Sequence, residues 1–163
     1  MRDIARKAGV SVETVYSNFR SKTELLLTAI DAAVVGDTEP VPLSDRPDFT
    51  GLAAGNLDDR IAASTRLVAG INERTWGLHR ALGEAAGSEP LLNEKLHDLE
   101  SRRRRNIREG TTLVLGRPAE DDVLDALWAL MGADTFQLLT RLGGRSVEEY
   151  ERWLGQTIRR LLT

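Results

Sequence analysis

Glu13, Thr14, Tyr16, Ser17 and Asn18 crowd hydroxyls, an amide, a phenol and a carboxylate onto one short stretch. An ordinary solvated helix would carry lysine and glutamate there. Hydroxyls and amides instead suit hydrogen bonding to base edges and phosphate oxygens in a groove of duplex nucleic acid. Lys22 follows inside Ser21-Lys22-Thr23-Glu24, a capping box with Ser21 as N-cap and Glu24 at the third helical position. The first turn of a helix has free N–H groups, and a lysine beside them makes a natural phosphate clamp.

Other chemistry is sparse. Cysteine is absent, which excludes disulfides, thiolate metal sites and a cysteine nucleophile. The histidines are His79 and His97. Glu94 and His97 have the Glu-x-x-His spacing of carboxylate-bridged di-iron sites, but such a site needs a second pair on another helix, and none exists. His97 is therefore read as a surface histidine. There is no nucleophile elbow, phosphate-binding loop or zinc-ligand series. No enzyme, cofactor or metal is expected.

The net charge of −3 does not advertise nucleic-acid binding, but its distribution is uneven. Residues 1–22 carry five cations against two carboxylates, a balance of +3, which leaves −6 on residues 23–163. A basic tip on an acidic body can approach phosphate without coating it indiscriminately. No apolar run approaches the roughly 20 residues of a membrane span, and the N-terminus lacks signal-peptide form. A cytoplasmic protein without membrane association is expected.

The tip must position these groups with short helices. Ile4, Ala5 and Ala8 are spaced for one face of a helix over Arg2–Ala8. Gly9 suits the left-handed backbone of a helix end, and Ser11 is a good N-cap for a helix from Val12 to Phe19. That helix buries Val12 or Val15 with Phe19. A third helix runs from the Ser21 cap through Ile30 to Val34. Short helix, glycine turn, second helix and capped third helix form the framework of a helix-turn-helix unit.

Ile4-Ala5, Ala8-Gly9-Val10-Ser11, Tyr16, Phe19, Lys22 and Leu25-Leu26 together resemble the DNA-binding signature of the tetracycline-repressor (TetR-like) family. The resemblance covers about 25 residues, and the body shares only a helical pattern with that family. It implies a homodimeric transcription regulator, usually a repressor, released from palindromic double-stranded operator DNA by a small ligand. Val12, Glu13, Thr14, Ser17 and Asn18 then lie on what resembles the recognition helix. Tyr16 and Lys22 match positions that typically contact phosphates. Tyr16 has a second reading as packing against the third helix, and Glu13 as a solvated charge.

The family normally has a further helix, then a threonine-containing segment, ahead of the Ile-Ala pair. Met1 stands where an internal residue would be expected, which reads either as a true start lying upstream or as a truly short chain with an incomplete head. The DNA-binding unit is therefore expected to lack its first helix, leave Ile4, Ala8 and Phe19 partly uncovered, and bind its operator weakly. The alternative reading is a truncated family member: a dimeric helical small-molecule-binding module without operator binding.

Three units are expected: a head with its connecting helix over 1–35, a Pro/Gly-rich connector over 36–56, and a helical ligand-binding and dimerisation body over 57–163. Pro40, Pro42 and Pro47 with Gly36, Gly51 and Gly55 exclude continuous helix in the connector, which reads as an exposed link or as a lid. The body predicts helices over 57–73, 75–86, 90–115, 121–142 and 146–162. No segment has strand alternation with hairpin signals. The fold class is all-α.

Leu124, Leu127, Leu138, Tyr150, Trp153, Leu154, Ile158 and Leu161 cover more than one face of the last two helices. A helix apolar on several sides needs several neighbours. A four-helix bundle with a second copy would satisfy them and would agree with the family resemblance; a single-chain core is the other reading. Arg102–Arg105 fan around their helix, so at least one arginine should point inward, with Asp134 as its expected partner. The effector is expected to be largely apolar. Candidate pocket residues are Trp76, His79, Leu82, Trp128, Met131 and Thr135, on helices that resemble the family's pocket-lining ones. His79, Asn106 and Gln137 are the candidate polar anchors. Core packing explains these positions equally well.

Overall fold

The computed structural model describes residues 1–162. All regular structure among them is helical, as the sequence predicts. The head consists of α1 (Arg2–Ala8), α2 (Val12–Asn18) and α3 (Lys22–Val35). Its turns are built by local chemistry. Gly9 adopts φ 68°, and the N–H groups of Gly9 and Val10 reach back to Arg6 O and Ala5 O, at 3.3 and 3.1 Å. This is the Schellman pattern, which only a residue tolerating left-handed backbone closes without strain. Ser11 Oγ accepts the Thr14 N–H at 3.1 Å, and Ser21 Oγ accepts that of Glu24 at 3.0 Å. The Glu24 carboxylate accepts from the Arg20 N–H, one residue ahead of the cap, so the predicted box closes in a shifted form.

The connector is more ordered than an exposed link. It holds α4 (Pro47–Thr50) between tight turns at Leu43–Asp45 and Gly51–Ala53. Phe49 and Leu52 insert into the main core. Arg46 gathers the preceding loop: its guanidinium donates to Asp37 at 2.8 Å, to Glu39 O at 3.2 Å and to Val41 O at 3.1 Å.

The body contains α5 (Leu57–Ala86), α6 (Pro90–Leu115), α7 (Asp121–Leu130), α8 (Ala133–Gln137) and α9 (Val147–Leu162). Asn56 and Asp59 form a reciprocal capping box that starts α5. Ser146 and Glu149 do the same for α9, with bonds of 3.2 and 2.8 Å. The expected break near Arg74 is absent, and α5 continues for 30 residues. Asn72 and Thr75 interrupt its apolar stripe in sequence, yet both are buried and bonded, Thr75 Oγ1 donating to Ile71 O at 2.8 Å.

The helix predicted over 121–142 is instead divided. It breaks at Met131–Gly132, resumes as α8, and ends in a π-turn over Leu138–Leu142. The break frees carbonyls that need donors. Arg103 donates to Trp128 O at 2.8 Å, Thr135 to Ala129 O at 2.9 Å, and Asn72 to Met131 O at 3.1 Å.

Two apolar clusters result. The large one joins Phe49, Leu52, Ile61, Ile107, Leu127, Phe136, Tyr150, Leu154 and Ile158. The small one, Ile30, Leu82, Ala86 and Leu92, ties α3 to the facing ends of α5 and α6. Arg74 of α5 also donates to Ala33 O and Val34 O at the end of α3, at 2.8 and 3.2 Å.

This arrangement removes five residues from the expected dimer interface. Leu124, Leu127, Tyr150, Leu154 and Ile158 are each at most 2% exposed within one chain. The neighbours that α9 needs are α5 and α7 of the same chain. Of the eight expected interface residues, Leu138 is exposed, and Trp153 and Leu161 are half-buried. Asp134 is likewise exposed, and the inward arginine is Arg103, paired with Glu100 of its own helix at 2.8 Å. Arg102 reaches Asp31 of α3 at 2.9 Å, and Arg104 meets Asp125.

Candidate functional site

Two sites meet along α3. The first is the outer face of the head. Glu13, Thr14, Ser17, Asn18 and Lys22 are exposed, Tyr16 is 53% exposed, and Val12 is half-buried. The two readings of Tyr16 thus separate: its ring is not enclosed against α3. Several of these polar groups also brace α2 itself. Ser17 Oγ donates to Thr14 O at 2.9 Å, and Asn18 Nδ2 donates to the same carbonyl at 2.8 Å. Backbone N–H groups and the Ser11 hydroxyl hold the Glu13 carboxyl below its ordinary range, so it remains charged at the helix N-terminus. Behind this face only Ala5 and Val15 are buried, while Ile4 and Val10 remain 36% and 43% exposed. Phe19 is half-buried and Ala8 exposed.

The second is a cavity of about 580 Å³ lying between the two apolar clusters. One wall is α3, through Thr28, Asp31, Ala32, Val34 and Val35. The loop over 37–44 covers it, and α5 and α6 form the rest. The α5 contribution follows helical spacing, from Ser64 through Val68 and Asn72 to His79. The α6 contribution runs through Leu99, Arg103, Asn106, Gly110 and Thr111.

His79, Asn106 and Met131 line this cavity; the other five expected pocket residues do not. Leu82 is fully buried in the small cluster. Trp76 packs on the large cluster with the Arg141 guanidinium 5.0 Å from its ring centre. Trp128 donates its indole N–H to Glu100 at 2.9 Å, with Arg103 and Arg104 over its ring. Thr135 caps the α7 break, and Gln137 is half-buried outside the cavity. Sequence reasoning missed Ser64, Asn72 and Thr111; the loop over 37–44 lies where the connector's second reading, a lid, would put it. Buried polar residues on otherwise apolar faces were the available signal for the first three.

The polar lining is electrically quiet. Burial holds the His79 imidazole below its ordinary range, despite the opposing pull of Glu100. Burial also pushes the Tyr150 phenol, next to Asn72, up to about 12. Arg103 is paired with Glu100, Arg102 with Asp31 and Asp37 with Arg46.

A capped helix-turn-helix with an exposed polar second helix has the framework of a DNA-binding head. Residues 1–29 match the family described as bacterial regulatory proteins, tetR family. That segment spans α1, α2 and much of α3, and it is similar to the DNA-binding segment of that family. No curated protein and no solved structure matches the chain. None of its helices, among the described residues, is long and apolar enough to cross a membrane.

Proposed function

We propose that the chain is a ligand-responsive cytoplasmic repressor, which binds a palindromic operator as a homodimer and leaves it when a small molecule enters the cavity. The observation that carries this reading is the shared wall. The helix that presents Lys22 beside α2 also bounds the cavity along its second half. A molecule filling that space bears directly on the helix that aims the head, so it can bind one head orientation better than another.

In this reading Val12, Glu13, Thr14, Ser17 and Asn18 face base edges, and Tyr16 and Lys22 hold phosphates. His79, Asn106 and Met131 belong to the effector site. Leu138, Trp153 and Leu161, joined by Leu142 at 73% exposure, supply the apolar surface for a second copy.

Selection of bound sequences from random duplex DNA, using the full chain at low salt, tests the proposal. Two-fold-related half-sites are expected, with affinity falling steeply as salt rises. Lys22→Ala should lower the magnitude of the log–log salt slope by about one. Selected sites without two-fold symmetry would remove the homodimer. Absence of any preferred sequence would leave a ligand-binding module without operator binding.

A further inference from the structure

We infer that the cavity accepts a neutral, largely apolar molecule bearing a hydrogen-bond donor, and that Asn72 Oδ1 is the acceptor that anchors it. This rests on reading the cavity as the effector site. Asn72 lines the cavity yet is only 4% exposed. Its Nδ2 donates to Met131 O at 3.1 Å and lies 3.2 Å from Tyr150 Oη. A main-chain carbonyl only accepts, so the amide cannot be turned the other way. Both amide hydrogens are thereby engaged, and the part of Asn72 that supports the α7 break is its nitrogen.

The oxygen is left over. Among the described residues no group donates to Oδ1. Among the described residues the one fully enclosed side-chain atom without a partner is Arg104 Nε, so the Asn72 oxygen opens onto the cavity, where a donor would find an unused acceptor. His79 stands two helical turns along the same face, with an imidazole that burial keeps neutral. Asn106 faces the cavity from α6, and its side chain makes no hydrogen bond among the described residues. Polar groups that the fold leaves unused thus converge on one apolar space.

Charge selects against ions. Of the charged groups lining the cavity, Arg103 pairs with Glu100, Arg102 with Asp31 and Asp37 with Arg46, which leaves the exposed Arg105 and Glu39, opposite in sign. A carboxylate placed at Asn72 would face an acceptor oxygen, and a cation there would approach Arg103, whose charge is already paired. Either would lose hydration without gaining an opposite charge at that point.

Three fluorescent probes with one ring system test this on the full chain at pH 7: hydroxypyrene, methoxypyrene and pyrene carboxylate. Hydroxypyrene should bind about tenfold more tightly than the other two. Asn72→Leu should abolish that preference while leaving methoxypyrene within about twofold. If Asn72→Leu does not fold, the wild-type ratio decides alone. Val68→Trp, which fills the cavity, should remove binding of all three. If Val68→Trp removes binding but the three probes bind equally, the donor inference falls and the cavity reading stands. The donor inference also falls, with the cavity reading intact, if folded Asn72→Leu keeps the preference. If no probe binds, or Val68→Trp changes nothing, the cavity reading falls as well.

Discussion

The two apolar clusters differ in what they hold together. The large one is shared by the connector, α5, α6, α7, α8 and α9, and its aromatic and aliphatic side chains interlock, with Phe136 and Tyr150 rings edge to face at 5.0 Å. The small one has four buried residues; α3 contributes Ile30 to it, with Leu26, Leu27 and Val34 packed against it partly buried. Polar contacts at the end of α3 supplement it. The cavity lies between them. A body built this way rests on the larger cluster, whereas α3 is held by the smaller one and by the polar contacts of Arg74 and Arg102.

Substitutions can break that contrast. Phe136→Ala should be the most damaging, at about 3–5 kcal/mol in denaturant unfolding. Leu82→Ala should follow at about 2–5 kcal/mol, read in the same measurement. Hydrogen exchange then separates the two clusters. Leu82→Ala should deprotect α3 far more than α9, and equal loss in both helices would mean that the clusters unfold as one.

Arg103→Ala should destabilise by about 1–3 kcal/mol, because Trp128 O and Glu100 each lose their guanidinium donor. Arg74→Ala should be milder, about 1 kcal/mol, since its bonds to Ala33 O and Val34 O lie at the exposed end of α3. Its effect should be confined to exchange of α3.

The smallest effect concerns pH. The imidazole of His79 is depressed in the folded chain, so between that value and the ordinary one near 6.5 the unfolded chain binds more protons. Stability contributed by neutral His79 is full above pH 6.5 and declines as the pH falls toward the folded value. Melting curves between pH 7.5 and about 5 should show a decline that His79→Gln reduces. An unchanged slope would mean that this imidazole is not differentially protonated.

The head was legible because its determinants are local. Gly9, Ser11 and Ser21 each act on backbone within a few residues, so their order in the chain already implies the turns. The body resisted for the opposite reason. Gly132 reads as a tolerable residue in a helix until Arg103 and Asn72, from other helices, are seen satisfying the carbonyls it frees. Leu127 and Tyr150 read as faces awaiting a second copy, although α5 of the same chain lies against α9. The cavity was the least legible part. Its covering loop has no periodicity, and Asn72 and Thr111 are single polar residues that the alphabet alone does not distinguish from solvated ones.

The grip of Arg74 on the last carbonyls of α3 has a mechanical consequence. It fixes one end of a rod of 14 residues whose other end carries Lys22. At 1.5 Å per residue the rod is roughly 20 Å long, so a tilt of about 10° about that pivot sweeps the far end through nearly 4 Å. That exceeds the reach of a hydrogen bond. A displacement too small to disturb the packing around the fulcrum is therefore magnified at the tip, where the proposed function places Lys22 against a phosphate, into the difference between keeping that contact and losing it.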